Sequence, residues 1–193
     1  MPGMNEKSIF LGLGCNIAGV WGTCDRAFDA SLSHLDAAGV KIISRSTNYK
    51  SPALGLGMQP DFLNCVVKID TDLPPARLLK ILKATERAAG RKNGRHWGPR
   101  PLDMDILDYR GQILNWQNGG RTRKGEELIL PHPEMHKRSF VLKPLIDVAP
   151  YWRHPVLDAS AHQLLTKLPP HERGLTARLE PLTLCVERGN SEK

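Results

Sequence analysis

Short apolar runs bounded by turn residues divide the first half of the chain into strand-length segments. Residues 8–13 form one such run, and residues 40–49 and 62–70 are rich in β-branched side chains. Residues 102–109 have the same character. Because runs of this length and composition are typical of strands, we predict a strand in each of the four segments.

Two amphipathic helices are predicted between these strands. The first has apolar residues at steps of three and four positions, namely Phe28, Leu32, Leu35 and Ala38, and Gly39 is placed to end it. The second begins at Pro74 and Pro75 and stops at Gly90, with Leu78, Leu79 and Leu82 on its apolar side. Proline at the start and glycine at the end of a helix is the usual asymmetry.

Hairpin signals and frequent prolines decide between sheet types. Arg110 and Gly111 predict a turn from the fourth strand into residues 112–115, and residues 127–130 are a further candidate edge strand. These features argue against a fully parallel sheet. We therefore predict a ferredoxin-like α+β sandwich, with a mostly antiparallel sheet and helices on one face. We expect a single domain over residues 1–175 and a weakly specified tail over 176–193.

Composition narrows the class of protein. The chain has 193 residues and 40% apolar content, enough for one core without staples. Its four cysteines, Cys15, Cys24, Cys65 and Cys185, are scattered without C-x-x-C spacing, so neither a disulfide framework nor a zinc site is expected. With no apolar run of membrane-spanning length and no signal-peptide pattern, we expect a cytoplasmic protein that does not contact membrane.

Positive charge is concentrated in one segment. The formal net charge is +7, and residues 87–100 contribute five cations with no acidic residue among them. Such a field attracts polyanions, whether nucleic acid, an acidic surface or a nucleotide polyphosphate. Charge alone does not show which of these polyanions is bound. The segment could also be a solvated basic loop that binds none of them.

A pair of aspartates follows directly. Asp103 and Asp105 alternate with apolar residues in a predicted strand, so their side chains share one face, with Cα atoms about 6.6 Å apart. Mg²⁺ prefers one or two carboxylates completed by water and substrate phosphates. Arg100 emerges beside the pair from a Gly-Pro turn, and its planar fork suits phosphate oxygens. A solvated acidic strand edge and a plain salt bridge are the structural alternatives.

Neither a P-loop nor a dinucleotide-binding glycine motif is complete, so a bound nucleotide would be held by side chains and metal. Downstream, His132 and Arg138 could add donors to a phosphate site. Upstream, Phe62 and Asn64 are two residues apart in a strand, and a ring beside an amide suits a flat heterocycle. For these residues, packing and turn roles are equally compatible with the sequence.

The motifs together resemble the 6-hydroxymethyl-7,8-dihydropterin pyrophosphokinase family. The resemblance is carried by Trp97-Gly98-Pro99-Arg100 followed by Leu102-Asp103-Met104-Asp105-Ile106. It is supported by residues 11–16, 49–55, 59–64 and 130–132 in the family's order, and it covers roughly residues 9–150. It implies transfer of the β,γ-diphosphate of ATP to the pterin hydroxymethyl oxygen, with release of AMP.

The resemblance also implies roles for individual residues. Asp103 and Asp105 would bind two Mg²⁺ ions and, with Arg91 and Arg100, form the catalytic set. ATP would be contacted by Glu86, Arg91, Trp97, Arg100, His132 and Arg138. The pterin would lie between the rings of Phe62 and Phe140, with its polar edge on Asn64 and on the backbone of Ser51, Pro52 and Leu54. The implied partners are therefore small molecules, ATP and the hydroxymethyl-dihydropterin, and we expect a monomer that does not bind nucleic acid.

Three positions depart from the family's usual pattern. Cys15 stands where serine is usual, Phe62 replaces a common tyrosine, and Pro133 follows His132 where an aromatic residue is frequent. No metal ligand is affected. Residues 116–125 look like an insertion for which the resemblance implies no role.

Two other function classes use part of the same pattern. An RNA-recognition module shares the fold, but it needs stacked aromatics on central strands, and this chain is only 6% aromatic. Asp103 and Asp105 would also repel a nucleic-acid backbone. A metal-dependent phosphoesterase could use the aspartate pair, yet it would give Phe62 and Asn64 no purpose.

Overall fold

The computed structural model describes residues 8–53, 59–92, 98–116, 128–174 and 176–178, and within them five strands and two helices lie between Ile9 and Tyr109. The strands are β1 (Ile9–Cys15), β2 (Lys41–Arg45), β3 (Tyr49–Ser51), β4 (Phe62–Asp70), β5 (Asp103–Tyr109) and β6 (Ala177–Arg178). The helices are α1 (Cys24–Ala37), α2 (Pro75–Ala88), α3 (Ser139–Val148), α4 (Ala161–Lys167) and α5 (Pro170–Gly174), with a 3₁₀ turn at Met135–Lys137. The four predicted strands and two predicted helices are present, with residues 40–49 divided between β2 and β3.

The strands form one antiparallel sheet with β4 at its centre and β1 between β4 and β5. The order is β5-β1-β4-β3-β6, and β2 also pairs with β4. In this register Gly12 lies opposite Asp105 on one side, and Gly14 lies between Asp103 and Asn64. The predicted antiparallel α+β arrangement is confirmed, and the register brings the aspartate pair next to two glycines.

Helices α1 and α2 cover one face of the sheet, as expected. Their apolar residues, including Phe28, Leu35, Leu78 and Leu82, pack with Ile9, Leu11, Val67 and Met104 in a buried core. The predicted restriction of helices to one face does not hold, because helices after β5, which were not predicted, build a second core on the opposite face. There α3 and α4 pack against Phe10, Val66 and Leu107. The sheet is therefore covered on both faces at one end.

Two histidines and two tryptophans lie at the margin of this second core. The His154 ring lies 5.7 Å from the Trp152 ring, 5.1 Å from Trp116 and 5.7 Å from His136 (centroid to centroid). The Trp152 indole N–H donates to the carboxylate of Asp108 at 2.7 Å. His154 is almost fully buried, with 1% of its surface exposed. This cluster attaches the C-terminal part of the chain to β5.

Proline and glycine set the ends of α2. Pro75 occupies the first helical turn, where its missing N–H leaves no helical hydrogen bond unmade. Gly90 follows the helix with φ of +98°, a conformation in which a Cβ atom would be strained. The helix therefore ends just before Arg91, which leaves the helix axis.

The predicted hairpin after β5 does not form as two strands in the described residues. Arg110 and Gly111 do make the turn, with positive φ at both, but pairing beyond it is limited there to one bridge between Leu114 and Leu130. That bridge has two reciprocal backbone hydrogen bonds of 2.9 Å. The His132 N–H then donates to Leu107 O at 2.8 Å, so residues 130–132 run beside β5.

The expectation that the cysteines form no disulfide is wrong for one pair. Cys15 and Cys24 form a disulfide, with their Cα atoms 5.5 Å apart. Sequence spacing did not reveal it because the pairing depends on how the end of β1 meets the start of α1. Cys65 is a buried free thiol, as expected, and Cys185 lies outside the described residues. No helix in the described ranges is long and apolar enough to cross a membrane.

Candidate active site

A cavity of about 380 Å³ opens on the face of the sheet opposite α1 and α2. It lies over the middle of β1, β4 and β5, where Gly12 and Gly14 present no side chain. Most of the predicted site residues line it: Ser51, Pro52, Phe62, Asn64, Arg100, Asp103, Asp105, His132, Arg138 and Phe140. Glu134 also lines the cavity and was not predicted. Leu54 and Trp97 lie outside the described residues.

Gly14 separates two chemically different halves of the cavity. A Cβ atom at this position would lie 3.6 Å from Asn64 Oδ1, 3.7 Å from a Phe62 ring carbon and 3.9 Å from Asp103 Cβ. The cavity thus has one half lined by an amide and an aromatic ring and another half lined by a carboxylate. The two halves meet at Gly14, which has no side chain. A substrate that occupies both halves has to pass over it.

Asp103 is held by two arginines. Arg91 Nη1 lies 2.5 Å from Asp103 Oδ1, and Arg100 Nη1 lies 2.5 Å from Oδ2. Burial by itself would raise the pKa of Asp103, but the guanidinium groups outweigh it and hold that pKa below its ordinary value. Asp103 is therefore ionised at neutral pH, as a metal ligand must be.

Asp105 faces two weaker partners. Lys83 Nζ lies 3.7 Å from Asp105 Oδ1, and His132 Nε2 lies 4.0 Å from Oδ2. The Glu134 N–H donates to His132 Nδ1 at 3.2 Å, so the neutral imidazole carries its proton on Nε2 and can donate from there. Burial lowers the pKa of His132, which favours this neutral form. His132 is thus a hydrogen-bond donor next to a carboxylate.

Glu86 organises the cations from behind the carboxylates. It is 2% exposed, and its Oε2 lies 2.6 Å from Arg91 Nη1. Its Oε1 accepts from Lys83 Nζ and from the Met104 N–H, each at 2.7 Å. Glu86 thereby ties α2 to β5 and positions Arg91. Lys83 was missed by sequence reasoning, although its i,i+3 spacing from Glu86 on a predicted helix was a usable signal.

The other half of the cavity combines an amide with aromatic rings. Asn64 Nδ2 donates to Ser51 Oγ at 3.0 Å and to Tyr49 O at 3.3 Å, which fixes the amide against β3. Phe62 precedes it on β4, and Phe140 enters the cavity from the first turn of α3. The Arg138 guanidinium lies 5.7 Å from the Phe140 ring centroid. This half suits a flat, polar-edged ring system.

Asn16 joins the loops on either side of the cavity, and sequence reasoning gave it no role of its own. Its Oδ1 accepts from the Arg100 N–H at 2.7 Å, and its Nδ2 donates to Pro60 O at 3.2 Å. It therefore fixes the turn that carries Arg100 relative to the segment before Phe62. Its place in residues 11–16, one of the supporting motifs, was the available signal.

The donor set fits Mg²⁺ better than a transition metal. Within the described parts of the chain, no three histidine, cysteine, aspartate or glutamate side chains come together as a complete metal cage. Two carboxylates beside two arginines would leave the remaining coordination positions to water and phosphate oxygens. This is the way Mg²⁺ is usually bound at nucleotide sites.

Comparisons with known proteins agree with this geometry. Residues 10–150 match the family described as 7,8-dihydro-6-hydroxymethylpterin-pyrophosphokinase. A protein of Methylorubrum extorquens named 2-amino-4-hydroxy-6-hydroxymethyldihydropteridine pyrophosphokinase is 39% identical over 144 residues, which cover 73% of this chain and 82% of the relative. One of the same name from Aquifex aeolicus is 35% identical over 149 residues, 77% of this chain and 84% of the relative.

Longer proteins share the same region. The Pneumocystis carinii folic acid synthesis protein fol1 is 32% identical over 88% of this chain, which spans only 21% of that protein. A crystal structure of a Plasmodium falciparum HPPK-DHPS triple mutant matches with a TM-score of 0.65 at 14% identity, over 89% of this chain and 46% of that one. At this identity the structural match supports the fold alone.

Proposed function

This chain belongs to the 7,8-dihydro-6-hydroxymethylpterin-pyrophosphokinase family, and on that premise we propose that it transfers the diphosphate of ATP to the hydroxymethyl group of 6-hydroxymethyl-7,8-dihydropterin. AMP is the other product, and the step belongs to folate biosynthesis. The observation that carries the proposal is the junction at Gly14, where an amide and aromatic subsite meets a carboxylate and arginine subsite. A pterin whose hydroxymethyl group points at ATP needs this layout.

Asp103 and Asp105 are the proposed ligands of two Mg²⁺ ions. When bound, Mg²⁺ supplies positive charge to the phosphate oxygens and lowers the pKa of a coordinated hydroxyl. Arg91 and Arg100 now pair with Asp103 and are positioned to exchange that carboxylate for phosphate oxygens. His132 Nε2, which lies 4.0 Å from Asp105, and Arg138, which lines the same cavity, are proposed as further donors. Catalysis then rests on positioning and electrostatics.

Substrate contacts follow the two halves of the cavity. Phe62 and Phe140 are proposed to sandwich the pterin, and Asn64 with the backbone of Ser51, Pro52 and Leu54 to read its polar edge. Glu86 supports the nucleotide subsite by holding Arg91, and Trp97 is proposed to shape it. A polar-edge site of this kind rejects analogues strongly, because a missing partner leaves buried groups unpaired.

The remaining features stay predictions from the sequence. We propose that residues 1–175 form the single catalytic domain and that the enzyme acts as a cytoplasmic monomer. The two carboxylates in the cavity argue against nucleic acid as a partner, because they would repel its backbone.

Production of AMP tests the function directly. We expect AMP from MgATP only when the pterin is present, and a fall in its rate of about a hundred-fold or more in Asp105→Asn. The substitution keeps the side-chain shape and removes the ligand charge. Asp72→Asn serves as the matched control, because Asp72 is fully exposed and lies two residues beyond the end of β4, away from the cavity. Formation of ADP or free phosphate without pterin would contradict the proposal and point to a phosphoesterase.

A further inference from the structure

The Cys15–Cys24 disulfide closes a small ring at the junction of β1 and α1. The two cysteines are nine positions apart, and the ring consists of them and residues 16–23. Cys15 is completely buried, whereas Cys24 is half-buried in the first turn of α1. Of the two residues, Cys24 is therefore the one that an external reagent can approach more closely.

The backbone of this ring is hydrogen-bonded to the segment that carries Arg100 and to the segment that carries Arg91. The Asn16 N–H donates to Arg100 O at 3.0 Å, and the Arg100 N–H donates back to Asn16 Oδ1 at 2.7 Å. The Val20 N–H donates to Ala89 O at 3.0 Å, two residues before Arg91. These bonds join the ring to the segments on either side of the phosphate subsite.

Gly19 in the ring packs so closely against Ala89 and Pro101 that the ring and these two residues are not expected to move independently. A Cβ atom at Gly19 would lie 2.4 Å from Ala89 O and 2.5 Å from Pro101 Cβ, so the ring backbone packs directly against both segments. These contacts are the route by which a change in the freedom of residues 16–23 would be transmitted to Arg91 and Arg100.

We propose that Cys15 and Cys24 form a reversible thiol–disulfide exchange site, open to a low-molecular-weight disulfide of the glutathione type, whose state sets how firmly the phosphate-binding arginines are held. In the disulfide form the ring fixes both segments. In the dithiol form residues 16–23 gain freedom and the arginines are less well ordered. The nucleotide part of this inference rests on the proposed function.

The exchange balances in two steps. The Cys24 thiolate attacks one sulfur of the small disulfide, whose S–S bond breaks to release the first small thiolate, and a mixed disulfide remains on the protein. Before the ring closes, residues 16–23 have more freedom, as in the dithiol form, and this lets the buried Cys15 lose its proton. The Cys15 thiolate then attacks Cys24 Sγ and expels the second small thiolate. Two electrons pass from the protein dithiol to the small disulfide, and the released thiolates take up the two protons. The position of Cys24 at a helix N-terminus favours the negatively charged sulfur needed to start.

Cys65 is close enough in the sheet to be considered as a rival partner, but its chemistry excludes it. It pairs with Leu13 on the neighbouring strand and is 1% exposed. Burial raises the pKa of its thiol to about 12, so it stays protonated and is a poor nucleophile. Cys15 is equally buried, but it is bonded to Cys24, whereas Cys65 is a free thiol, so the exchange resolves between Cys15 and Cys24.

The test compares the full chain equilibrated in oxidised and in reduced glutathione. Alkylation followed by mass spectrometry counts free thiols, hydrogen exchange reports on residues 16–22 and 89–92, and calorimetry with a non-hydrolysable ATP analogue and Mg²⁺ gives Kd. We expect two fewer free thiols after oxidation, slower exchange in both segments, and a Kd about five-fold or more lower than in the dithiol form. Cys24→Ser should remove the response and Cys185→Ser should retain it.

Each outcome decides the inference. Equal exchange rates and equal Kd values in the two forms, or failure of Cys15 and Cys24 to pair, would overturn it. The native chain supplies both redox states, so the comparison does not depend on the folding of a variant. If neither form binds the nucleotide, the proposed function fails, while thiol counting and hydrogen exchange still decide whether the exchange site and its coupling to residues 89–92 exist.

Discussion

At the scale of single residues, Gly14 shows how a missing side chain creates the site. Its neighbours on three sides are the amide of Asn64, the ring of Phe62 and the side chain of Asp103. All three lie at ordinary contact distance from where a Cβ would be. A methyl group would therefore fit the fold and still fill the floor of the cavity.

We expect Gly14→Ala to raise the KM for the pterin by about ten-fold, which corresponds to about 1.4 kcal/mol of lost binding. The added methyl group takes space where the two subsites meet. Steady-state kinetics with varied pterin at saturating MgATP measures the effect, and thermal unfolding should show a change of less than about 1 kcal/mol in stability. An unchanged pterin KM would show that the substrate does not pass over Gly14.

Residues with distinctive sequence spacing were predictable, and residues defined by tertiary contact were not. Asp103 and Asp105 share a face because side chains alternate along a strand, which sequence alone reveals. The Cys15–Cys24 pair depends on the angle at which α1 leaves β1. Asn16 is similar, because its partners Arg100 and Pro60 are far away in sequence and only the folded chain brings them to it.

At the scale of elements, α4 is the clearest case of a helix stabilised by hydrogen bonds at its N-terminus. Ser160 Oγ accepts from the Gln163 N–H at 3.1 Å, and Gln163 Oε1 accepts from the Ser160 N–H at 2.9 Å. This reciprocal capping box satisfies two backbone donors at the N-terminus. The helix has only seven residues, so it depends on such local bonds.

Ser160→Ala should therefore lower the free energy of unfolding by about 1 kcal/mol and leave catalysis unchanged, because α4 does not reach the cavity. Urea unfolding monitored by circular dichroism measures the change. Thr23→Ala is the matched control: Thr23 is the N-cap of α1 but makes no side-chain capping bond, so its loss should cost less. Equal losses in the two variants would contradict a specific role for the capping box.

The ends of helices and strands were predicted most closely where the sequence has strong start and stop residues. The proline and glycine at the two ends of α2 predicted it closely, and β4 matches its predicted range. Helices α3 to α5 were not predicted, since they are short and α3 contains Pro144, which interrupts a helical pattern. This gap matters for function because Phe140 reaches the cavity only through α3.

At the scale of the whole molecule, the His154 cluster makes stability depend on pH. Burial lowers the pKa of His154 to about 4, with a smaller contribution from neighbouring His136. An exposed histidine in the unfolded chain titrates near 6.5. Between these two values the unfolded chain binds a proton that the folded protein does not, so acidification favours unfolding.

We expect His154 to cost the protein up to about 3 kcal/mol of stability as the pH falls from about 6.5 to about 4. Urea unfolding at several pH values measures this. Burial also raises the pKa of Asp108, which acts in the opposite sense, so the native chain has to be compared with a variant. In His154→Asn an amide oxygen can accept the Val156 and Leu157 N–H bonds without titrating. The same pH dependence in both proteins would contradict the assignment.

The bridge between Leu114 and Leu130 has a practical consequence for engineering. It joins the two ends of residues 115–129 by reciprocal backbone bonds, so the length of chain between them does not set the position of β5 or of His132. Lengthening the chain between two joined ends costs little, because each doubling of its length adds only about 0.6 kcal/mol of closure entropy. A fluorescent reporter or an immobilisation tag inserted between Trp116 and Leu128 keeps the Trp116 ring on His154 and should therefore leave diphosphate transfer intact.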